Sequence, residues 1–393
     1  MRAPSLPDRR FPMVLAFLIL IGTARLLLET SSSPCARVGM LRRIYRAIFG
    51  AQDVKHKIGL DSGINGECNL FEGRWVSDRD SGPLYKEESC PYLTQQVTCR
   101  RNGRSDSLYQ SWRWKPHKCD LPRFDAVKLL ERLRDKRLMY IGDSIQRIQW
   151  ESMVCLLQSV IPDNKKSLHR DPPMKIFKAK EFNASIEFYW APFMVESNAD
   201  HATKHRVQKR LVRLDSIAKH SRHWEGVQAL VFESYVWWMN KPVINATING
   251  SSGVQEFDVP KAYRLALGTW ADWIRFNIDS ETQRVFFMSM SPTHLCSYWG
   301  SGSNLDVMGA LKDVLEELKP KVTLLNITQL SEYRKDGHTS VYTERRGELL
   351  TSEQRSNPRV YADCIHWCLP GVPDTWNQFL YAYLMDDTFK RSL

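Results

Sequence analysis

The chain has 393 residues, 43% apolar and 25% charged, the composition of a globular protein rather than a disordered or fibrous one. Its net charge is +11, but residues 1–60 hold ten Lys or Arg against three Asp or Glu, so +7 sits there and only +4 on the other 333 residues. With no zinc-finger, RNA-recognition or basic-zipper pattern, this basic excess does not mark a nucleic-acid surface.

In chain order, the first feature is an apolar stretch from Phe11 to Ala24, which continues past Arg25 through Leu26, Leu27 and Leu28. A membrane span needs about 20 apolar residues, and an Arg near its end can snorkel to the interface. A cleaved signal peptide is the rival, since Arg9 and Arg10 precede the stretch. No small-x-small cleavage site follows; Leu26–Glu29 stand there instead, which favours an uncleaved signal anchor. The expected organisation is a cytosolic tail at 1–10, an anchor at 11–28 and a basic stem at 29–65. A Cys/Trp-rich subdomain at 66–121 and a larger α/β domain at 122–393 follow.

Positive charges flank the stretch on both sides, so they do not orient it. The cysteines do. Cys35 stands alone beside the stretch, whereas Cys68, Cys90, Cys99, Cys119, Cys155, Cys296, Cys364 and Cys368 form an even set suited to four disulfides. A zinc site is the competing use of such a cluster, but no CxxC occurs and no His pair completes a set at finger spacing, so no metal is expected. Four glycosylation sequons stand at Asn183, Asn245, Asn249 and Asn326. Together these features place the body of the protein in the secretory lumen, with a short cytosolic tail.

The segment from Cys68 to Cys119 is dense in Cys, Trp, Gly and Pro, and reads as a small subdomain stapled by disulfides. Helical spacing of Val127, Leu130 and Leu133 predicts a helix over 125–135, followed by an apolar strand over 137–141. After Gly142-Asp143-Ser144 a helical run extends from about Gln146 to Leu157. Further buried strands are expected at 186–190, 229–232, 285–290 and 322–325, with helices at 262–276, 307–318 and from about Asp374. Apolar strands alternating with amphipathic helices predict an α/β fold, a parallel sheet flanked by helices.

Two short elements carry chemistry. Gly142-Asp143-Ser144 lies between a strand and a helix, where a serine stands at the carboxyl edge of the sheet beside helix N-terminal N–H groups able to hold an oxyanion. The competing use of this tripeptide is a turn and an N-cap. Asp363 and His366 are three residues apart, close enough on a helical turn for the carboxylate to fix the imidazole tautomer. A structural pair beside the flanking Cys364 and Cys368 is the alternative.

YIGDSIQRIQWESMVC (Tyr140–Cys155) and ADCIHWCLPGVPDTWNQFL (Ala362–Leu380) together resemble the plant trichome-birefringence-like family, whose lumenal domain is similar to SGNH or GDSL esterases. CNLFEGRWV, PLYKEESCPYL, RNGRSDSLYQSWRW, SMSPTH and SEYRKDGHTSVYT extend the resemblance from Cys68 to the C-terminus. WESMVCLLQSVIP and FYWAPFMVESN point to its xylan O-acetyltransferase branch. The resemblance implies that Ser144 attacks an acetyl donor, such as acetyl-CoA, with His366 as base and Asp363 as its orienting group. The acetyl-serine so formed passes its acetyl group to a xylosyl hydroxyl, without metal or bound cofactor.

By the same resemblance Gly142 and Arg147 support the oxyanion or a substrate group, although a surface Arg is the competing reading of Arg147. The family usually carries Asn at the positions of Ile148 and Glu233, and a carboxylate at 233 would oppose an oxyanion and slow the reaction. A loop after His294 is also shorter than in relatives. These departures favour one alternative, a catalytically weak glycan-binding or scaffold protein; the other alternative is an acetyl esterase that uses the same triad with water as acceptor. Trp190, Trp237 and Trp238 are candidate sugar platforms, with core packing as the competing use.

Overall fold

The structure is a computed structural model, which describes residues 68–204, 207–248, 253–294 and 303–386. The expected tail, anchor and stem, together with Cys35, Cys296 and Asn249, lie outside the described residues. Among the described residues no helix is long and apolar enough to cross a membrane.

The chain from Ser62 to Leu393 forms one compact unit. Its frame is a seven-stranded sheet built from β3 (Arg137–Gly142), β4 (Lys166–Asp171), β5 (Met174–Ala179), β6 (Ala184–Trp190), β7 (Ala229–Phe232), β8 (Arg284–Met288) and β9 (Val322–Leu325). The strand order is β9-β8-β7-β3-β6-β5-β4. The five strands from β9 to β6 run parallel, while β5 and β4 form an antiparallel hairpin at one edge. The expectation of a parallel sheet is therefore corrected to a mixed one. Residues 166–179 are rich in charge and turn at Pro172-Pro173, so they carry no apolar run for a strand prediction to catch. The exposed Arg170 and Asp171 show why: an edge hairpin is solvated and needs no such run.

The central strands read as continuous apolar runs because both of their faces are covered. Every residue of β6 and β7 is buried. The covering helices are α1 (Ala126–Arg132), α2 (Ser144–Gln158), α3 (Val259–Asn277), α4 (Leu305–Glu317) and α5 (Val372–Leu384). In α1 the buried face is Leu129 and Leu130, with Leu133 just past its end, and Val127 is exposed, a correction of one position to the expected stripe.

Two strands near the N-terminus, β1 (Gly73–Ser77) and β2 (Trp112–Pro116), pair antiparallel to form the core of the small subdomain. Disulfide Cys68–Cys119 closes this subdomain, while Cys90–Cys155 and Cys99–Cys368 tie it to α2 and to the segment before α5. Cys364 is disulfide-bonded as well.

From β3 the chain passes to β6 on one side and then to β7 on the other. The sheet order therefore reverses at β3, and its carboxyl end opens the crevice where such sheets bind ligands.

Candidate active site

Gly142, Asp143 and Ser144 occupy that crevice. Gly142 ends β3, and a Cβ built on it would stand 2.3 Å from the Glu233 carbonyl oxygen and 2.9 Å from Gln146 Cβ, so only glycine lets the two strand ends come this close. Asp143 is the N-cap of α2, its Oδ1 accepting from the Ile145 N–H at 2.8 Å. Ser144 is the first residue of that helix, and its N–H has no acceptor within the helix. The cap and the candidate nucleophile are adjacent residues, so the same turn can serve as cap and as site.

Asp363 and His366 lie on β11 (Asp363–Trp367), which pairs with β10 (His338–Ser340) through a bulge. The expected helical turn is corrected here. Asp363 Oδ1 accepts from the backbone N–H groups of Ile365 and His366, both at 3.0 Å, and this side-chain turn folds the three-residue offset back on itself. The His366 Nδ1–H then donates to Asp363 Oδ2 at 2.6 Å, and the Ser144 hydroxyl donates to His366 Nε2 at 2.8 Å. The His366 imidazole and the bonds it receives hold the Asp363 carboxyl far below the usual carboxylate range, against the opposing effect of burial. Asp363 is thus an anion across physiological pH, able to support an imidazolium at His366.

Arg147 does not stand free over the serine. Its guanidinium is paired with the buried Glu151, and it donates to Thr94 Oγ1 at 2.9 Å and to Gln96 Oε1. Glu151 Oε2 also accepts from the Thr94 backbone N–H and hydroxyl, both at 3.0 Å. The Gln96 amide nitrogen lies 3.2 Å from His366 Nδ1. The small subdomain therefore reaches His366 through Thr94 and Gln96, a contribution invisible in the sequence. The Arg147/Glu151 half was readable as an i,i+4 pair.

Glu233 follows β7, fully buried, and its carboxyl is hydrogen-bonded to that of Asp143, which is equally buried. Burial raises both carboxyls, and the negative charge of Asp143 pushes Glu233 well above the usual range. Burial and the Asp143 charge therefore favour the neutral acid at Glu233 over the carboxylate expected to oppose an oxyanion. Ile148 is a core residue, wholly buried on α2.

The three candidate sugar platforms are core residues too, a further correction. Trp190 donates to the Ala199 carbonyl at 3.0 Å, Trp238 donates to Ser234 Oγ at 2.9 Å, and the Arg210 guanidinium covers Trp237 at 4.2 Å from the ring centroid. None is more than 9% exposed, so none offers an open ring face. Of the sequons, Asn183 is exposed in a left-handed turn, and Asn245 and Asn326 are half-buried. Among the described residues no group of three or more His, Cys, Asp or Glu is arranged to hold a metal ion.

A serine activated by an oriented histidine, beside a helix N-terminus at the switch point of an α/β sheet, defines a serine acyl-group-transfer site. The chain belongs to the PC-Esterase family, described as a GDSL/SGNH-like acyl-esterase family found in Pmr5 and Cas1p, which matches residues 121–383. Residues 66–120 match the PMR5 N-terminal domain. The chain is 57% identical over 399 residues to Protein trichome birefringence-like 31 of Arabidopsis thaliana, covering 95% of each. It is 51% identical over 346 residues to Xylan O-acetyltransferase 6 of Oryza sativa subsp. japonica, covering 80% of this chain and 62% of the rice protein. Xylan O-acetyltransferase 7 of the same plant is 47% identical over 359 residues, covering 81% and 59%.

Proposed function

We propose that this protein is a xylan O-acetyltransferase that carries the acetyl group on Ser144. The observation that carries this reading is the unbroken chain from the Ser144 hydroxyl to His366 to Asp363 in a domain of this family. The relatives named as xylan O-acetyltransferases supply the acceptor class.

In the first half-reaction Ser144 Oγ bonds to the acetyl carbon as its proton passes to His366 Nε2. The bond to the donor's leaving group then breaks, and that group takes the proton from His366. In the second, a xylosyl hydroxyl gives its proton to His366 and its oxygen bonds to the acetyl carbon; the bond to Ser144 breaks and Oγ recovers the proton. The Ser144 N–H at the head of α2 is placed to meet the oxyanion in both steps. Arg147, locked between Glu151, Thr94 and Gln96, supports the site by holding Gln96 beside His366 rather than by touching substrate.

Acetyl-CoA is the proposed donor. The proposed setting is the Golgi lumen, with the apolar stretch at 11–28 as a type II anchor. The disulfides suit that oxidising compartment, and Asn183 is the best-exposed sequon for a glycan. The test is mass spectrometry of unsubstituted xylo-oligosaccharides after incubation with the full chain and acetyl-CoA, beside Ser144→Ala. Serine-dependent gain of acetyl groups is expected. Acetyl release to water alone would make the protein an esterase. Xylan binding without any turnover would make it a scaffold.

A further inference from the structure

His338 and His294 lie in the segments GHTSVYT and SMSPTH, and the triad uses neither. His338 is fully buried on β10, its ring against Trp367 at 3.9 Å between centroids. Its Nδ1 lies 2.9 Å from the backbone carbonyl oxygen of His366. Its Nε2 lies 2.7 Å from Nδ1 of His294, and Nε2 of His294 lies 3.0 Å from the Glu332 carbonyl oxygen. Two imidazoles thus form a chain closed at each end by a carbonyl.

Counting protons along this chain gives its behaviour. A carbonyl accepts only, so each end requires an N–H, and the junction between the rings requires one more. Three protons on two rings make a cation; two neutral rings hold only two. A neutral pair leaves one of the three contacts without its hydrogen bond; two bare ring nitrogens facing each other at 2.7 Å would repel, so the empty contact falls at one end. In one arrangement His338 Nδ1–H donates to His366, His294 Nδ1–H donates to His338 Nε2, and bare His294 Nε2 faces the Glu332 carbonyl. In the other, every proton moves along by one and bare His338 Nδ1 faces the His366 carbonyl. Only the first holds the main chain of the catalytic histidine.

We propose that His338 is a positioning residue for His366, that His294 selects the tautomer in which His338 holds the His366 carbonyl, and that a third proton on His294 tightens this hold. The third proton belongs on His294 because His338 is wholly enclosed, its neighbours being His294, Trp367, His366, Asp363 and, at its own carbonyl, the Arg104 guanidinium. Burial pushes His338 down to about 3. His294 also lies below the ordinary histidine value through burial and Lys335, but the Glu332 carbonyl, Glu332 and Asp336 act the other way. The sign follows: the protonated, fully bonded state is populated as pH falls below the ordinary histidine range. This inference rests on the proposed acetyl transfer for its kinetic readout, but not for its structural one.

The structural test is nitrogen NMR of the full chain labelled in histidine, which needs no substrate. Near pH 7 we expect His338 to carry its proton on Nδ1 with a bare Nε2, and His294 to take up a second proton on acidification. A bare His338 Nδ1 at pH 7 overturns the proposal even if the enzyme is fully active, whereas the expected tautomer in a chain without acetyl transfer would fault only the function. The kinetic test compares His338→Leu, which cannot donate, with His338→Asn, whose amide N–H reaches the same carbonyl. Loss of the bond lets His366 shift against Ser144, so His338→Leu should lower kcat by about 10- to 100-fold with KM within about twofold. His338→Asn should recover to within about threefold of wild type. In His294→Asn, which donates but cannot take a second proton, the acid-side change in kcat should flatten. A folded His338→Leu protein with wild-type kcat, or equal losses in the Leu and Asn variants, would refute the positioning role.

Discussion

Replacing Asp363 by Asn tests the site at its most constrained point. Asp363 accepts three hydrogen bonds, two at Oδ1 from backbone N–H groups and one at Oδ2 from the His366 ring. An Asn of the same shape keeps its carbonyl on the two backbone donors and so turns its NH2 toward Nδ1. The ring must then accept at Nδ1 and carry its proton on Nε2, 2.8 Å from Ser144 Oγ. In that tautomer the histidine cannot take the serine proton. It also loses the anion that supports an imidazolium. Asn in place of the Asp of such a triad costs about 10⁴ in kcat, roughly 5.5 kcal/mol of barrier. The assay is acetyl transfer to xylo-oligosaccharides followed by mass spectrometry, with circular dichroism to confirm folding. Asp363→Ala provides the control: if tautomer and charge matter, the isosteric Asn variant is no faster than the Ala variant. An Asn variant retaining more than about a tenth of wild-type kcat would refute the role assigned to Asp363.

Gly142→Ala drives a methyl into the Glu233 backbone, which has no rotamer to yield; a destabilisation of about 1–3 kcal/mol with loss of turnover is expected, and an unchanged denaturation midpoint would contradict the close approach. Glu233→Gln keeps the shape of a neutral acid, so kcat should stay within about threefold at pH 7, whereas a tenfold rise would show that Glu233 is a carboxylate opposing the oxyanion. Asp374, buried at the start of α5 and bonded by Tyr85, Ser152 and the Gly371 N–H, is pushed up to about 6 by burial. A folded value above the unfolded one means its contribution is complete below about pH 4 and lost as pH rises through 6; relative to wild type, Asp374→Asn should gain about 2 kcal/mol in chemical denaturation between pH 4 and pH 8, and a pH-independent difference would refute this.

The elements legible in the sequence were those whose burial is one-dimensional. β7, ALVF, is enclosed on both faces and spans 229–232 in both readings. Ser144 could be placed because strand, glycine and helix are contiguous, so the turn that presents it is a local property. Asp363 and His366 were legible as a pair but not as a strand, because their geometry comes from the Asp side chain folding the backbone, not from periodicity. What stayed hidden depends on segments far apart in the chain. Thr94 and Gln96 reach Arg147 and His366 from the small subdomain, held there by Cys90–Cys155 and Cys99–Cys368, pairings that spacing alone does not give.

The charge of Glu233 is the clearest instance of the same limit. A sequence assigns a glutamate a negative charge by default, and from that default followed the expectation of an oxyanion opposed by a carboxylate. Charge is instead a property of the surroundings, and here those are a closed interior and a second carboxyl, Asp143, contributed by the turn that presents the nucleophile. A neutral acid in that position adds no negative field at Ser144, so a departure that read as a reason for weak catalysis becomes compatible with a working enzyme. The substitution also moves a constraint: the site now depends on keeping water away from Glu233, because hydrating that carboxyl would ionise it beside the oxyanion. Changes that loosen the packing between β3 and β7 should therefore slow acetyl transfer more in this chain than in its Glu233→Asn variant.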